Sequence, residues 1–221
     1  VPRAVVLGLE DRPEAQSQPP FTWHPAPDGN LAVAGGAGTG RSTLLRTLAV
    51  GLAEEWTPTS LHLQVIEGTP GSLQDLASLP QVGSVASTAD PSVAARLVAR
   101  LGEDLGRRVS RHDSGSQPLA VLLLDGWEAI EDAFESVDHG APTESLLRLA
   151  RDGLASGIRL VVSGGRAVLS GRLAGVVQRR LVLPMPDPID LTLAGLSPAQ
   201  SRGHRGVGRA IDVATGHHVQ L

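Results

Sequence analysis

The 221-residue chain contains no cysteine and no lysine. Without cysteine it has neither a disulfide nor a thiolate metal site, and sulfur chemistry says nothing of its redox compartment. Without lysine, all 19 basic residues are arginine, which points to a compositional bias in the source genome. Aromatic residues make up only 2% and the net charge is −4. The broad positive field and stacking platforms of a protein that grips nucleic acid are therefore missing, leaving room only for a local basic patch. No run approaches the roughly 18 apolar residues that span a bilayer, and the N-terminus lacks a basic stretch followed by an apolar one and a cleavage site. The segment is thus expected to be soluble, with no membrane insertion of its own. What is present is ordinary for a globular protein, 41% hydrophobic and 19% charged, at a length that one core can organise. A single domain over residues 1–221 is expected.

Strand and helix patterns alternate along the chain. Ala4 to Leu7 reads as a strand within Val1 to Leu9, and a second lies around Phe21 to His24. Leu31 to Ala34 is a short buried strand running into glycine, and Ser42 to Glu54 carries leucines in helical spacing. Leu61 to Ile66, Val82 to Ala86, Leu119 to Leu124, Ile158 to Val162 and Arg179 to Leu183 read as strands, with helices over Pro91 to Val109 and Glu144 to Ala155. Such alternation predicts parallel pairing through right-handed crossovers, in a mainly parallel α/β sheet of the RecA-like P-loop kind with helices on both faces. Gly208 to Leu221 reads as a short hairpin at the sheet edge.

Gly35, Gly36, Ala37, Gly38, Thr39, Gly40, Arg41, Ser42 and Thr43 fit the phosphate-loop pattern, with arginine in place of its lysine. Glycines are needed because backbone amides must turn inward around a phosphate, where a Cβ would obstruct them. The helix behind the loop adds its dipole and free amides, and Ser42 stands where a hydroxyl ligand of Mg²⁺ belongs. A glycine turn that merely joins strand to helix is the plainer alternative, and the downstream run Leu122-Leu123-Leu124-Asp125 argues against it. That run places an aspartate at the C-terminal edge of a buried strand, where open α/β sheets bind ligands. Asp125 is the candidate metal ligand with Ser42, and capping of the next helix is its alternative role. Arg41 keeps the positive charge, but its forked guanidinium cannot take a lysine's place between the outer phosphates unchanged. Glu128 is the candidate general base, or else a solvated residue of the first helical turn.

The order of these segments resembles the FtsK/SpoIIIE ATPase family and, within it, the tandem ATPase domains of the type VII (ESX) secretion protein EccC and related actinobacterial proteins. The marks are Gly8-Leu9-Glu10-Asp11-Arg12-Pro13, Asn30 to Gly35, Arg41 to Leu48, Leu79-Pro80-Gln81-Val82-Gly83, Gly171-Arg172-Leu173-Ala174, Leu193-Ala194-Gly195-Leu196 and Gly208-Arg209-Ala210. The resemblance implies one module of a longer membrane-anchored chain, held at the cytoplasmic face, with ATP and Mg²⁺ as cofactors. Its implied partners are neighbouring ATPase domains, small helical secreted substrates and further copies in a homo-oligomer. It also implies a second acid after Asp125 to orient water, where this chain has Gly126, and a polar sensor of the γ-phosphate at the position of Ser163. The departures at Arg41 and Gly126 favour an ATP-binding module that hydrolyses weakly or is degenerate. A DNA-translocating motor domain and an interaction module with an empty nucleotide site are the alternatives.

Other residues carry plainer expectations. His217-His218 read as solvated residues of the hairpin, and Trp56 and Trp127 as packing residues. Arg107, Arg108 and Arg111 close a helix where cations suit the dipole, or reach a neighbour's phosphate.

Overall fold

The computed structural model describes residues 3–111 and 117–221, without the side chain of residue 111. Val1 and Pro2 of the first expected strand and the Arg111 side chain lie outside the described part. The elements in chain order are β1 (Val5–Asp11), β2 (Pro20–Trp23), α1 (Pro25–Asp28), β3 (Leu31–Ala34), α2 (Arg41–Glu55), β4 (Leu61–Glu67), β5 (Val82–Ser87), α3 (Pro91–Arg111), β6 (Leu119–Asp125), α4 (Trp127–Glu135), α5 (Ala141–Asp152), β7 (Ile158–Gly164), α6 (Gly171–Ala174), β8 (Arg179–Val182), α7 (Pro188–Leu193), β9 (Arg209–Asp212) and β10 (His218–Gln220).

All ten strands share one sheet in the order β2-β1-β10-β9-β8-β3-β7-β6-β4-β5. The run from β8 to β5 is parallel, and the other four strands pair antiparallel. Period-two alternation sorts the central strands between two cores. Leu31, Val33, Val121 and Leu123 pack with α2 through Leu44, Leu45, Leu48 and Leu52. Ala32, Ala34, Leu122 and Leu124 pack on the other face against α3, α4 and α5. Because both faces are covered, these strands read as continuous apolar runs.

Buried Asn30 fixes the start of β3. Its amide donates to the carbonyls of Ala150 and Val176 at 2.7 and 2.9 Å, and its oxygen accepts the Leu160 amide at 2.9 Å. β3 therefore sits between β7 and β8 with Ala34 opposite Gly164 and Val182, and Gly35 leaves the sheet at its C-terminal edge.

The hairpin expected at the edge lies inside the sheet. β9 pairs with β8, and β10 pairs with β1, placing Leu9 opposite Gln220. Buried Ala210, Ile211 and Val219 give it apolar partners, and the N-terminal strands cover its outer side. The edge role falls to β2, which starts at Pro20, a residue without an amide to offer a further strand. The helix expected over Glu144 to Ala155 starts earlier, at Ala141, with Pro142 pre-set for its first turn.

Two expectations about charged residues also change. Arg108 is only 6% exposed. It binds Asp104 at 2.7 Å and the carbonyls of Pro118 and Ser156 at 2.8 and 3.0 Å, so it knits the fold and cannot reach a neighbouring chain. His217 and His218 are not left to solvent: His217 Nδ1 meets Glu10 Oε1 at 2.8 Å, and His218 Nε2 meets the Gln200 carbonyl at 3.0 Å. Trp127 is buried in the core as expected.

Candidate phosphate-binding site

The glycine loop spans the gap between the C-terminal end of β3 and the start of α2. The amide of Gly35 donates to the Gly164 carbonyl at 3.0 Å and that of Gly36 to the Pro184 carbonyl at 2.9 Å, fixing the loop to the end of β7 and to the segment that follows β8. Thr39 Oγ1 donates to the Gly36 carbonyl at 2.9 Å. Gly40 turns the chain into α2 with φ +111°, a conformation that disfavours any Cβ. The first amides of α2, from Arg41, Ser42 and Thr43, lack intrahelical acceptors as at any helix start, and the helix dipole adds positive potential there.

Facing this turn, β6 delivers Asp125, which is 5% exposed. Its carboxylate accepts three serine hydroxyls: Ser42 at 2.7 Å and Ser72 at 2.9 Å on Oδ2, and Ser163 at 2.6 Å on Oδ1. Strand register explains the third, since Asp125 stands opposite Ser163. The Ser163 oxygen in turn accepts the Gly126 amide at 3.0 Å. The sequence-derived Ser42, Asp125 and Ser163 are thus brought into one hydrogen-bonded cluster at the head of α2.

Arg41 is half-buried, and its side chain makes no hydrogen bond or ion pair with the described residues. Gly126 has φ +89°, so a side chain in the expected second-acid position would meet backbone strain. Glu128 is turned to the segment after β7, where its Oε1 accepts the amides of Gly165 and Ala167 at 2.8 and 3.3 Å. Both bonds fall on one oxygen and set the direction of the carboxylate, leaving Oε2 as the oxygen that carries no amide.

Hard oxygen donors suit Mg²⁺, which takes few protein ligands and keeps waters and phosphate oxygens. The Ser42 hydroxyl and Asp125 carboxylate fit that habit. Among the described residues no group of three or more His, Cys, Asp or Glu side chains could hold a metal by itself. A metal held by Ser42 and Asp125 would complete its shell with waters or phosphate oxygens.

Sequence reasoning missed Ser72 and the surface beside the loop. Ser72 follows Glu67 in a Gly-Thr-Pro-Gly-Ser turn at the end of a buried strand. An acid ending an apolar strand before glycine, the pattern that exposed Asp125, would have drawn attention to it. Next to Gly40 lies a cavity of about 180 Å³ lined by Leu7, Thr43, Thr47, Val207 and Leu221. Its rim is tied to the loop by the Gly208 amide, which donates to the Thr39 carbonyl at 3.1 Å.

A sequence model of the FtsK/SpoIIIE family matches residues 4–117, just over half the chain. The chain belongs to the FtsK/SpoIIIE family. It is 31% identical over 210 residues to the ESX-4 secretion system protein EccC4 of Mycobacterium tuberculosis, a match covering 86% of this chain and 17% of that protein. It is 30% identical over 231 residues to the ESX secretion system protein EccC of Thermomonospora curvata, covering 92% of this chain and 17% of that one. The chain thus spans about a sixth of these FtsK/SpoIIIE relatives. The solved Thermomonospora curvata EccC (ATPases 2 and 3) in complex with a signal sequence peptide superposes with a TM-score of 0.87 at 26% identity, covering 99% of this chain and 42% of that chain. The pCW3 conjugation coupling protein TcpA with ATPγS shares the fold, with a TM-score of 0.76 at 15% identity over 100% of this chain and 66% of that chain.

Proposed function

We propose that this chain is an ATP-binding module of a type VII secretion motor, one of several ATPase domains in series, whose own hydrolysis is weak or absent. The observation that carries the nucleotide reading is the 2.7 Å hydrogen bond from Ser42 to Asp125. It couples a helix start able to bind phosphate to the carboxylate that would hold the metal's water shell. Gly35 to Thr43 would surround the phosphates with amides, and Ser163 would complete the cluster beside the γ-phosphate. Weak turnover is supported by Arg41, whose planar guanidinium differs from a compact ammonium, and by Gly126, which offers no carboxylate to orient water.

Relatives named for ESX secretion support the place of the module in a motor. In that setting it regulates neighbouring ATPase domains or engages a secreted substrate, and works in the cytoplasm, held to the membrane's inner face by the rest of a longer chain. The substrate arm is supported by the signal sequence peptide in the complex of Thermomonospora curvata EccC. Among the described residues no helix is long and apolar enough to cross a membrane.

The test is titration of the chain with ATP, with and without Mg²⁺, beside a Gly40→Val variant. Binding in the parent and none in the variant is expected; equal affinity in both would refute the phosphate-loop assignment, and no binding in the parent would favour an interaction module. Duplex DNA titrated at about 150 mM salt should bind weakly, and tight binding with a steep salt slope would favour a DNA motor.

A further inference from the structure

The loop between β4 and β5 brings to Asp125 a residue that no motif announces. The Ser72 hydroxyl shares Asp125 Oδ2 with Ser42, and its loop is held from two sides. Glu67 ends β4 directly opposite Asp125, is 2% exposed, and accepts the amides of Gly71 and Leu73 at 2.6 and 2.8 Å. Arg46, one turn beyond Ser42 in α2, donates to the Ser72 carbonyl and binds the Asp75 carboxylate at 2.9 and 3.1 Å. Leu73 and Leu76 then bury in the same core as α2. This investment in hydrogen bonds delivers one hydroxyl to one carboxylate.

We propose that Ser72 is a positioning residue for Asp125 and governs the magnesium-dependent part of nucleotide binding, an assignment that rests on the nucleotide reading above. An ionised carboxylate has about four acceptor directions. Ser42, Ser72 and Ser163 occupy three of them, leaving one for a water in the metal's shell. Without Ser72 the carboxylate keeps two open directions and loses a donor on the oxygen nearest Ser42, so its orientation toward the metal is less defined. Arg46 joins the two sides, because the helix whose first turn carries Ser42 also holds the loop that carries Ser72.

The experiment measures ATP affinity by calorimetry in EDTA and again in excess Mg²⁺, for the parent chain, Ser72→Ala and Ser72→Thr. The ratio of the two affinities should fall about three- to tenfold in Ser72→Ala, as expected for one hydrogen bond to a charged group acting indirectly. It should recover in Ser72→Thr, which keeps the hydroxyl. A Ser72→Ala ratio equal to the parent's overturns the assignment, including the case where both affinities drop together as a merely structural role would dictate. A parent that binds ATP with no gain from Mg²⁺ also overturns it. A parent that binds ATP in neither buffer removes the nucleotide reading, and this assignment with it.

Discussion

The Glu128 carboxylate accepts the Gly165 amide at 2.8 Å, so α4 caps the turn that follows β7. Removing the acceptor in Glu128→Ala should lower the unfolding free energy by about 1–2 kcal/mol, since two amides lose a charged partner. Glu128→Gln keeps an acceptor oxygen and should retain most of that stability. Urea unfolding of both variants checks the order. Equal losses would show that an uncharged acceptor oxygen cannot hold these two amides.

Turnover is the second expectation. The unmodified chain should hydrolyse ATP slowly or not at all, and Gly126→Glu should not restore it alone. At φ +89° a glutamate at residue 126 costs about 1–2 kcal/mol of backbone strain and carries its carboxylate on a distorted turn. Only a double change with Arg41→Lys should raise the rate, provided ATP binding is verified in each variant. Brisk hydrolysis by the parent chain, insensitive to Glu128→Gln, would overturn the degenerate reading.

The cavity beside Gly40 supplies a third. Val207 is 74% exposed at its rim, a large apolar side chain left in water next to the expected phosphate position. A nucleobase seated there would cover it, so Val207→Ser, which removes apolar surface without adding charge, should weaken ATP about tenfold while leaving tripolyphosphate nearly unaffected. Parallel titrations decide the matter. An equal loss for both ligands would place the base elsewhere.

A fourth prediction concerns acidity. Burial holds the pKa of His204 below the usual histidine value, with His218 and Arg209 acting in the same direction. The folded chain therefore takes up this proton only at lower pH than the unfolded chain, whose histidine titrates near pH 6.5. Below that pH the unfolded state binds more protons, so stability falls as pH falls and is full above it. Melting temperatures between pH 8 and 5 should decline less steeply in His204→Leu than in the parent. Parallel declines would exclude His204 as the source.

What could be read from the sequence was whatever local pattern encodes. Leu31 to Ala34 with its glycines, the leucine spacing of α2 and the apolar run into Asp125 each carry their meaning within a few residues, and the structure assembles Ser42, Asp125 and Ser163 accordingly. Pairing between distant segments carries no such mark. The periodicity of β9 and β10 gives a hairpin but not its neighbours, so its place between β8 and β1 could not be foreseen. Ser72 reaches Asp125 only because the register of β4 on β6 sets Glu67 beside that aspartate. The grip of Glu128 on Gly165 likewise depends on how α4 lies over the end of β7.

The interior position of the β9–β10 hairpin bears on the order in which the domain is made. Among the ten strands β1 is made before the others, yet the backbone ladder that joins it to the parallel strands needs β10, which is made after them. Until β9 is made the outer edge of β8 has no strand partner, and until β10 follows, β1 and β2 have only each other and α2 to pack on. The final join closes a loop of nearly the whole chain, a contact of the kind that slows folding most. Before β9 is made the exposed edge of β8 offers its amides and carbonyls to any extended segment nearby, so synthesis of this module has a vulnerable stage that its finished sheet conceals.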